Sequence, residues 1–166
     1  MPVFDIPMIT RDRVHAGKLF LFAFDDDEMR TTDSGMAAQC RGEVNTVGVR
    51  TRRGADASAT WHDNDLARQQ QLMDQDFAVL VSWAEAGGSV FLPKAGLGAL
   101  GTPRLVDTAP RTFLYLQKKV KELRAAAASP WSLDAYKQPG YYEGVFREIG
   151  KLMQAAPAPS RLTLGG

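Results

Sequence analysis

The sequence predicts a layered α/β domain, and three observations lead to that prediction. Short apolar runs, of the length of buried strands, alternate along the chain with longer segments whose apolar residues repeat at helical intervals. A glycine-rich turn follows the third apolar run, and ligands of open α/β sheets lie at such carboxyl ends of strands. The order strand, short helix, strand, long helix, strand, helix spans residues 17–125 and is typical of a sheet covered by helices.

The first strand is predicted at residues 19–24, which are apolar throughout and should therefore be buried. Four consecutive acidic residues, 25–28, follow it. Their mutual repulsion is expected to keep most of them in water, in a loop at the edge of the sheet. Ser34 is a suitable cap for a short helix of small residues that reaches Cys40.

The remaining strands and helices of the domain are predicted from changes in the spacing of apolar residues. Residues 45–51 alternate moderately and are rich in β-branched side chains, which favours a second strand. Residues 62–86 carry one apolar stripe at helical spacing, and two glycines end that helix. The third strand is predicted at 89–92. Thr108 then caps a last helix that begins near Pro110.

Two flanking segments do not fit the alternation. Residues 1–16 mix prolines and charges without a clear period and are expected to form an arm on the surface or on a partner. Residues 126–166 are expected to form an extension with a hinge from 125 to 130, an amphipathic helix near 140–156 and a loose tail. Aromatic residues of this extension favour docking on its own domain or on another subunit.

Composition narrows the possible functions. Twenty basic and 19 acidic side chains leave a formal charge of +1, which disfavours a dedicated nucleic-acid binder. The single Cys40 excludes an internal disulfide framework and favours the cytoplasm. No apolar run approaches the roughly 18 to 20 residues needed to cross a bilayer, and charged residues interrupt the first fifteen positions. The sequence therefore predicts neither membrane insertion nor secretion.

The turn after the third strand is the strongest candidate for a binding site. Gly96, Gly98 and Gly101 permit left-handed backbone and close approach to another group. Peptide N–H groups of such a turn, with Lys94 beside them, can hold an anion such as phosphate. A glycine-rich connection without any ligand explains the same residues equally well.

Three segments together resemble a known family. They are the predicted short helix at 34–38, the run Arg-Gly-Glu-Val-Asn-Thr-Val-Gly-Val-Arg-Thr-Arg at 41–52, and Pro-Lys-Ala-Gly-Leu-Gly at 93–98 followed by residues 109–116. This pattern resembles a family of small bacterial and phage proteins that is itself similar to macrodomains, especially the branch related to ADP-ribosyl-glutamate hydrolases. The resemblance implies a three-layer macrodomain-like sheet with flanking helices.

The resemblance also implies binding or hydrolysis of a ligand related to ADP-ribose or NAD, and no cofactor is expected. The cleft that it implies would be formed by Gly35, Ala37, Thr51, Arg52, Lys94, Gly96 and Gly98. In the relatives a lysine stands at the position of Arg52, and a Gly-Asp-Asn type turn ends the first strand. Because arginine stays protonated, lysine-type chemistry is not expected here.

The chemistry that the residues permit leaves two functions open. If hydrolysis occurs, Asp25 or Asp26 is the candidate to orient water, since each lies at the end of a strand. No metal site is expected, because the two histidines lack paired spacing and the acidic run lacks the spacing of a calcium loop. The alternative is a phage-type structural or interaction protein without catalysis, which binds a partner or a second copy through residues 1–16 and 126–166.

Overall fold

A computed structural model describes residues 3–56, 58–99 and 103–127 of the chain. Its centre is a four-stranded sheet in which every neighbouring pair is parallel, with the strand order β1-β4-β2-β3. The predicted α/β class is thereby confirmed, whereas the macrodomain-like details stay a prediction. The strands are β1 (Val3–Ile6), β2 (Phe20–Asp27), β3 (Thr46–Arg52) and β4 (Ser89–Pro93).

Helices connect these strands and cover both faces of the sheet. The long helix predicted at 62–86 is confirmed, and a 3-10 turn at Asp63–Asp65 precedes it. A four-residue helix not predicted from the sequence precedes the last one. The helices are α1 (Arg11–Ala16), α2 (Gly35–Cys40), α3 (Leu66–Glu85), α4 (Leu105–Thr108) and α5 (Pro110–Ala127).

Two hydrophobic cores lie on opposite faces of the sheet because side chains alternate along each strand. On β2, Phe22 and Phe24 belong to the core under α1 and α2. Leu21 and Ala23 belong to the larger core under α3 and α5. The part of β2 before Asp25 is therefore apolar on both faces of the sheet, as expected for a central strand of a parallel sheet.

The N-terminal segment is part of this sheet. Strand β1 pairs with β4 in parallel, with Val3 opposite Val90, and Ile6 and Ile9 are buried. Arg124 of α5 donates to Asp5 at 2.9 Å and joins the two ends of the described chain. The segment predicted as an arm thus supplies a strand and a helix to the domain.

The acidic run is not a solvated loop, and that prediction is wrong. Strand β2 continues through Asp27, and Asp26 and Asp27 are only 1% and 0% exposed. Burial is tolerated because the carboxylates have charged or hydrogen-bonding partners. Arg41 donates to Asp26 at 2.6 Å, and Thr32 donates its hydroxyl to Asp27 at 2.6 Å.

The carboxyl end of the domain differs slightly from the prediction. Helix α5 continues to Ala127, so the predicted hinge from residue 125 begins inside a helix. The predicted helix at 140–156 and the loose tail lie outside the described residues. Among the residues that are described, no helix is both long and apolar enough to span a bilayer.

Candidate functional site

A cleft opens at the carboxyl ends of the central strands. The chain leaves β2 toward α2 on one face and leaves β4 toward α4 and α5 on the other, so a crevice forms between these connections. Such a switch point is where parallel α/β sheets bind ligands. The cleft has a volume of about 210 Å³ and is lined by Asp25, Thr32, Ser34, Gly35, Met36, Ala37, Thr51, Arg52, Thr60, Trp61, Gly98, Pro103, Leu105 and Thr108.

Asp25 joins three parts of the cleft. Its Oδ1 accepts the amide N–H of Gly98 at 2.6 Å and the hydroxyl of Thr51 at 2.9 Å. Gly98 has φ +78°, and a Cβ there would lie 3.1 Å from Leu105, so the turn requires glycine. Burial raises the pKa of Asp25 to about 6, although both hydrogen bonds act in the opposite direction.

Three residues of the cleft each carry a buried polar atom that has no hydrogen-bond partner in the described part of the chain. These atoms are Asp25 Oδ2, Arg52 Nε and Thr108 Oγ1. The guanidinium of Arg52 is held by its Nη2, which donates to the carbonyl of Asp56 at 2.6 Å. Because buried polar groups are nearly always paired, three unpaired ones around a single cleft indicate positions that a ligand can satisfy.

Trp61 forms an apolar wall of the cleft and is held there by a charged pair. Its indole Nε1 donates to Glu28 at 2.6 Å, and Arg68 donates to the same carboxylate at 2.7 Å. Trp61 is only 2% exposed. Burial alone would raise the pKa of Glu28, but the bonds from Arg68 and Trp61 lower it. Glu28 therefore remains an anion that fixes the indole.

Asp27 shapes the loop that leads from β2 to the cleft. Its Oδ1 accepts the backbone N–H groups of Thr31 and Thr32 at 2.8 and 2.6 Å, and its Oδ2 accepts the N–H of Met29 at 3.2 Å. Burial by itself would raise the pKa of Asp27, but hydrogen bonds from the two threonines hold it well below the usual range. Asp27 thereby positions Thr32, which lines the cleft.

Asp26 lies in a separate buried network. Its Oδ1 accepts from Arg41, and Arg30 bridges its Oδ2 at 3.5 Å to Asp76 of α3 at 2.7 Å. Burial raises the pKa of Asp26, while Arg41 opposes that shift. Asp26 is not among the lining residues, and both of its oxygens have partners. We therefore assign it a structural role and not a role in the cleft.

The cleft brings together most of the residues that the sequence singled out. Its lining contains six of the predicted site residues: Asp25, Gly35, Ala37, Thr51, Arg52 and Gly98. It does not contain Asp26, Lys94 or Gly96. Lys94 is exposed, and its backbone N–H donates to the carbonyl of Ile6 at 2.8 Å.

Eight of the fourteen lining residues were not predicted as site residues, and Trp61 and Thr108 are the two of them with the most bearing on a ligand. Trp61 stands at the end of the polar stretch before α3, and a large aromatic residue in such a stretch is the signal of a buried anchor. Thr108 was predicted only as a helix cap. No sequence pattern distinguishes a capping hydroxyl from one that faces a cleft.

Other types of site find no support in the described ranges. No group of three or more histidine, cysteine, aspartate or glutamate side chains there is placed to hold a metal ion. Cys40 is fully buried, and burial raises the pKa of its thiol to about 12. A thiol with such a pKa is not a nucleophile at neutral pH.

The family of the chain follows from one comparison. A model described as a family of unknown function (DUF7831) matches residues 5–119, which is more than half of the 166 residues. The chain belongs to this family. The DUF7831 region begins in β1, ends in α5 and contains every lining residue of the cleft. No curated protein and no solved structure matches the chain.

Proposed function

We propose that the cleft binds a phosphate-containing nucleotide related to ADP-ribose or NAD. The observation that carries the proposal is the set of three buried polar atoms without partners, on Asp25, Arg52 and Thr108, around one cleft at the carboxyl edge of the sheet. The ligand class comes from the resemblance of residues 41–52 and 93–98 to macrodomain-like proteins.

The chemistry of the lining supports a ligand with both polar and apolar parts. Arg52 offers a permanently charged N–H donor, which suits a phosphate oxygen. Asp25 offers an acceptor, and Trp61 offers a flat apolar surface beside them. The volume of about 210 Å³ lies below the roughly 300–1,000 Å³ of typical ligand pockets. The cleft therefore suits one part of a dinucleotide, such as a ribose with its neighbouring phosphate.

Hydrolysis at this site would depend on Asp25. It is the acidic residue of the lining, its Oδ2 has no partner, and its pKa of about 6 is close to neutral. A carboxylate with such a pKa is well suited to accept a proton from water at neutral pH. Asp26, the other candidate from the sequence, is already engaged by Arg41 and Arg30.

Calorimetry with ADP-ribose tests the proposal. The wild-type chain should release or absorb heat in a saturable titration, and its melting temperature should rise with ligand concentration. R52A should weaken binding by roughly tenfold or more, as expected when one charged contact is lost. R53A is the matched control, because Arg53 is exposed and is not a lining residue.

Two results would contradict the proposal. The first is the absence of heat at millimolar ADP-ribose together with an unchanged melting temperature. The second is an equal loss of affinity in R52A and R53A, because binding would then depend on general surface charge rather than on the cleft.

A further inference from the structure

The donors that a glycine turn offers to an anion are already used in this cleft. The Gly98 N–H and the Thr51 hydroxyl both donate to Asp25 Oδ1, at 2.6 and 2.9 Å. Backbone N–H groups of such turns, with a neighbouring hydroxyl, are the groups that ordinarily hold a phosphate oxygen. Asp25 Oδ1 therefore occupies the position that an oxygen of a bound anion would take.

The charge of Asp25 acts against a second anion at the same place. Its Oδ2 is buried, and solvent screens the charge of a buried group poorly. Asp26, the next residue along β2, adds a negative charge nearby, and the positive charge of Arg52 opposes it. A phosphate at Gly98 would thus find no free hydrogen-bond donors there and would be repelled by the Asp25 carboxylate.

The unpaired Oδ2 of Asp25 requires a hydrogen-bond donor rather than an anion. An ionised carboxylate only accepts hydrogen bonds, so Oδ2 can be satisfied only by a donor. Thr108 Oγ1, the second unpaired oxygen of the lining, can donate or accept. A sugar hydroxyl does both and carries no charge, so it suits this pair of oxygens.

The lining of the cleft carries one charged residue of each sign. Among its described lining residues, Asp25 is the one anion and Arg52 the one cation. Arg52 Nε is an unpaired donor, which a phosphate oxygen satisfies and a hydroxyl satisfies less well. The charges therefore favour a ligand that presents a neutral hydroxyl to one residue and an anion to the other.

We propose that Asp25 makes the Gly98 end of the cleft a subsite for a neutral sugar hydroxyl and excludes phosphate from it, so that the phosphate of a nucleotide lies at Arg52. This inference rests on the cleft being the nucleotide site proposed above. Asp25 then determines which end of the ligand lies at Gly98. Thr108 contacts the sugar hydroxyl directly.

Inorganic phosphate is the probe for the exclusion. At about pH 8, where Asp25 is ionised, the wild-type chain should bind phosphate only weakly in calorimetry, through Arg52 and not through the Gly98 N–H. D25A removes the carboxylate and frees the Gly98 N–H and the Thr51 hydroxyl, so phosphate should bind at least roughly tenfold more tightly than to the wild type. D33A is the control, since Asp33 is an exposed acidic residue of the loop before α2, and it should behave as the wild type.

Folding of each variant is checked by its thermal melt. If D25A does not fold, D25S takes its place, because serine also removes the carboxylate and its shorter side chain leaves the Gly98 N–H free. Phosphate binding by the folded variant that exceeds that of the wild type supports the inference. Equal phosphate binding by the folded variant and the wild type overturns it, whether both bind or neither binds.

A second pair of ligands tests the preference for a hydroxyl. ADP-ribose, which ends in a sugar, should bind the wild type at least roughly tenfold more tightly than ADP, which ends in phosphate. T108V should reduce this preference, and T108S, which keeps the hydroxyl, should restore it. An unchanged preference in T108V would contradict the assignment of Thr108.

The outcomes separate this inference from the proposed function. If ADP-ribose does not bind but D25A gains phosphate binding, the nucleotide proposal fails and the exclusion by Asp25 stands. If ADP-ribose binds and phosphate competes with it equally in the wild type and D25A, the nucleotide proposal stands and the exclusion fails.

Discussion

Asp25 Oδ1 accepts the amide N–H of Gly98 at 2.6 Å, which ties the end of β2 to the turn that follows β4. The same oxygen accepts the hydroxyl of Thr51 on β3 at 2.9 Å. One carboxyl group thus joins the ends of three strands, while its other oxygen is left without a partner.

D25N should stabilise the chain at neutral and alkaline pH. The pKa of Asp25 is raised from 3.8 to about 6, so the folded state binds its proton more tightly than the unfolded state does. The stability that this proton contributes is present below about pH 4 and is lost as the pH rises through about 6. At about pH 8, D25N should therefore unfold with a free energy roughly 1–3 kcal/mol higher than the wild type.

Urea unfolding from about pH 4 to about pH 8 measures this difference. Arg52 and Asp26 are the charged groups that act on Asp25, and their effects oppose each other. The advantage of D25N should shrink toward zero at the acid end. A D25N variant that is less stable at every pH, with no narrowing, would show that the Asp25 carboxylate is not disfavoured by the fold.

D27N should destabilise the loop that leads to the cleft. Asparagine cannot accept hydrogen bonds on both of its terminal atoms, so the N–H and hydroxyl donors of Thr31 and Thr32 lose partners. The free energy of unfolding should fall by roughly 2–4 kcal/mol at neutral pH. D33N, at an exposed position of the same loop, should change it by less than about 0.5 kcal/mol.

Asp27 also sets the acid stability of the chain. Because the folded state lowers its pKa, its contribution is present above its unfolded pKa of about 3.9 and is lost as the pH falls toward the lower folded value. The difference in unfolding free energy between the wild type and D27N should therefore become smaller below about pH 4. A gap that stays constant down to acid unfolding would contradict this role.

D76A should cost far more stability than D74A on the same helix. Asp76 is 3% exposed and accepts from the Arg50 backbone N–H at 2.8 Å and from Arg30 at 2.7 Å. Its removal leaves Arg50 partly buried without its counter-charge, which typically costs about 3–5 kcal/mol. Asp74 pairs with Lys119 at the surface, and such pairs contribute about 1 kcal/mol or less. Similar losses in chemical denaturation of the two variants would contradict the network.

Cys40 should be unreactive in the folded protein. Its side chain is buried, and burial raises the pKa of the thiol to about 12. A disulfide reagent such as DTNB, at about pH 8, should label the thiol only as fast as the domain unfolds. Addition of denaturant should release one equivalent, since Cys40 is the single cysteine. Rapid labelling without denaturant would show that α2 opens or packs differently.

The fold could be predicted largely from local patterns, and two of its departures from the prediction, at β1 and at the end of β2, have long-range causes. The strand at 89–92 and the helix of α3 follow from apolar runs and spacing alone. The extension of β2 through Asp27 depends on Arg41 and on Thr32, which meet the carboxylates only after folding. Strand β1 is only four residues long, so its own sequence shows no clear period. It forms a strand because it pairs with β4.

The site could be predicted in part, for a similar reason. Gly98 and Thr51 stand at strand ends, which a parallel sheet brings together, and the sequence placed both in one cleft. Lys94 was assigned to the same cleft on sequence proximity to the glycines, but it lies outside the lining. Trp61 enters the cleft from a loop, whose path local sequence does not determine, and Thr108 enters it from the four-residue helix α4, which the sequence does not predict.

The most direct test of the nucleotide proposal is a titration of the ¹⁵N-labelled chain with ADP-ribose, followed by NMR. The Gly98 amide and the Trp61 indole N–H report on the cleft, and the Trp83 indole, which donates to the Ser89 carbonyl at 2.9 Å away from the lining, is an internal control. The account predicts that the Gly98 and Trp61 signals shift and saturate while the Trp83 signal stays fixed. Unmoved Gly98 and Trp61 signals at millimolar ligand, or shifts confined to residues outside the cleft, would contradict it.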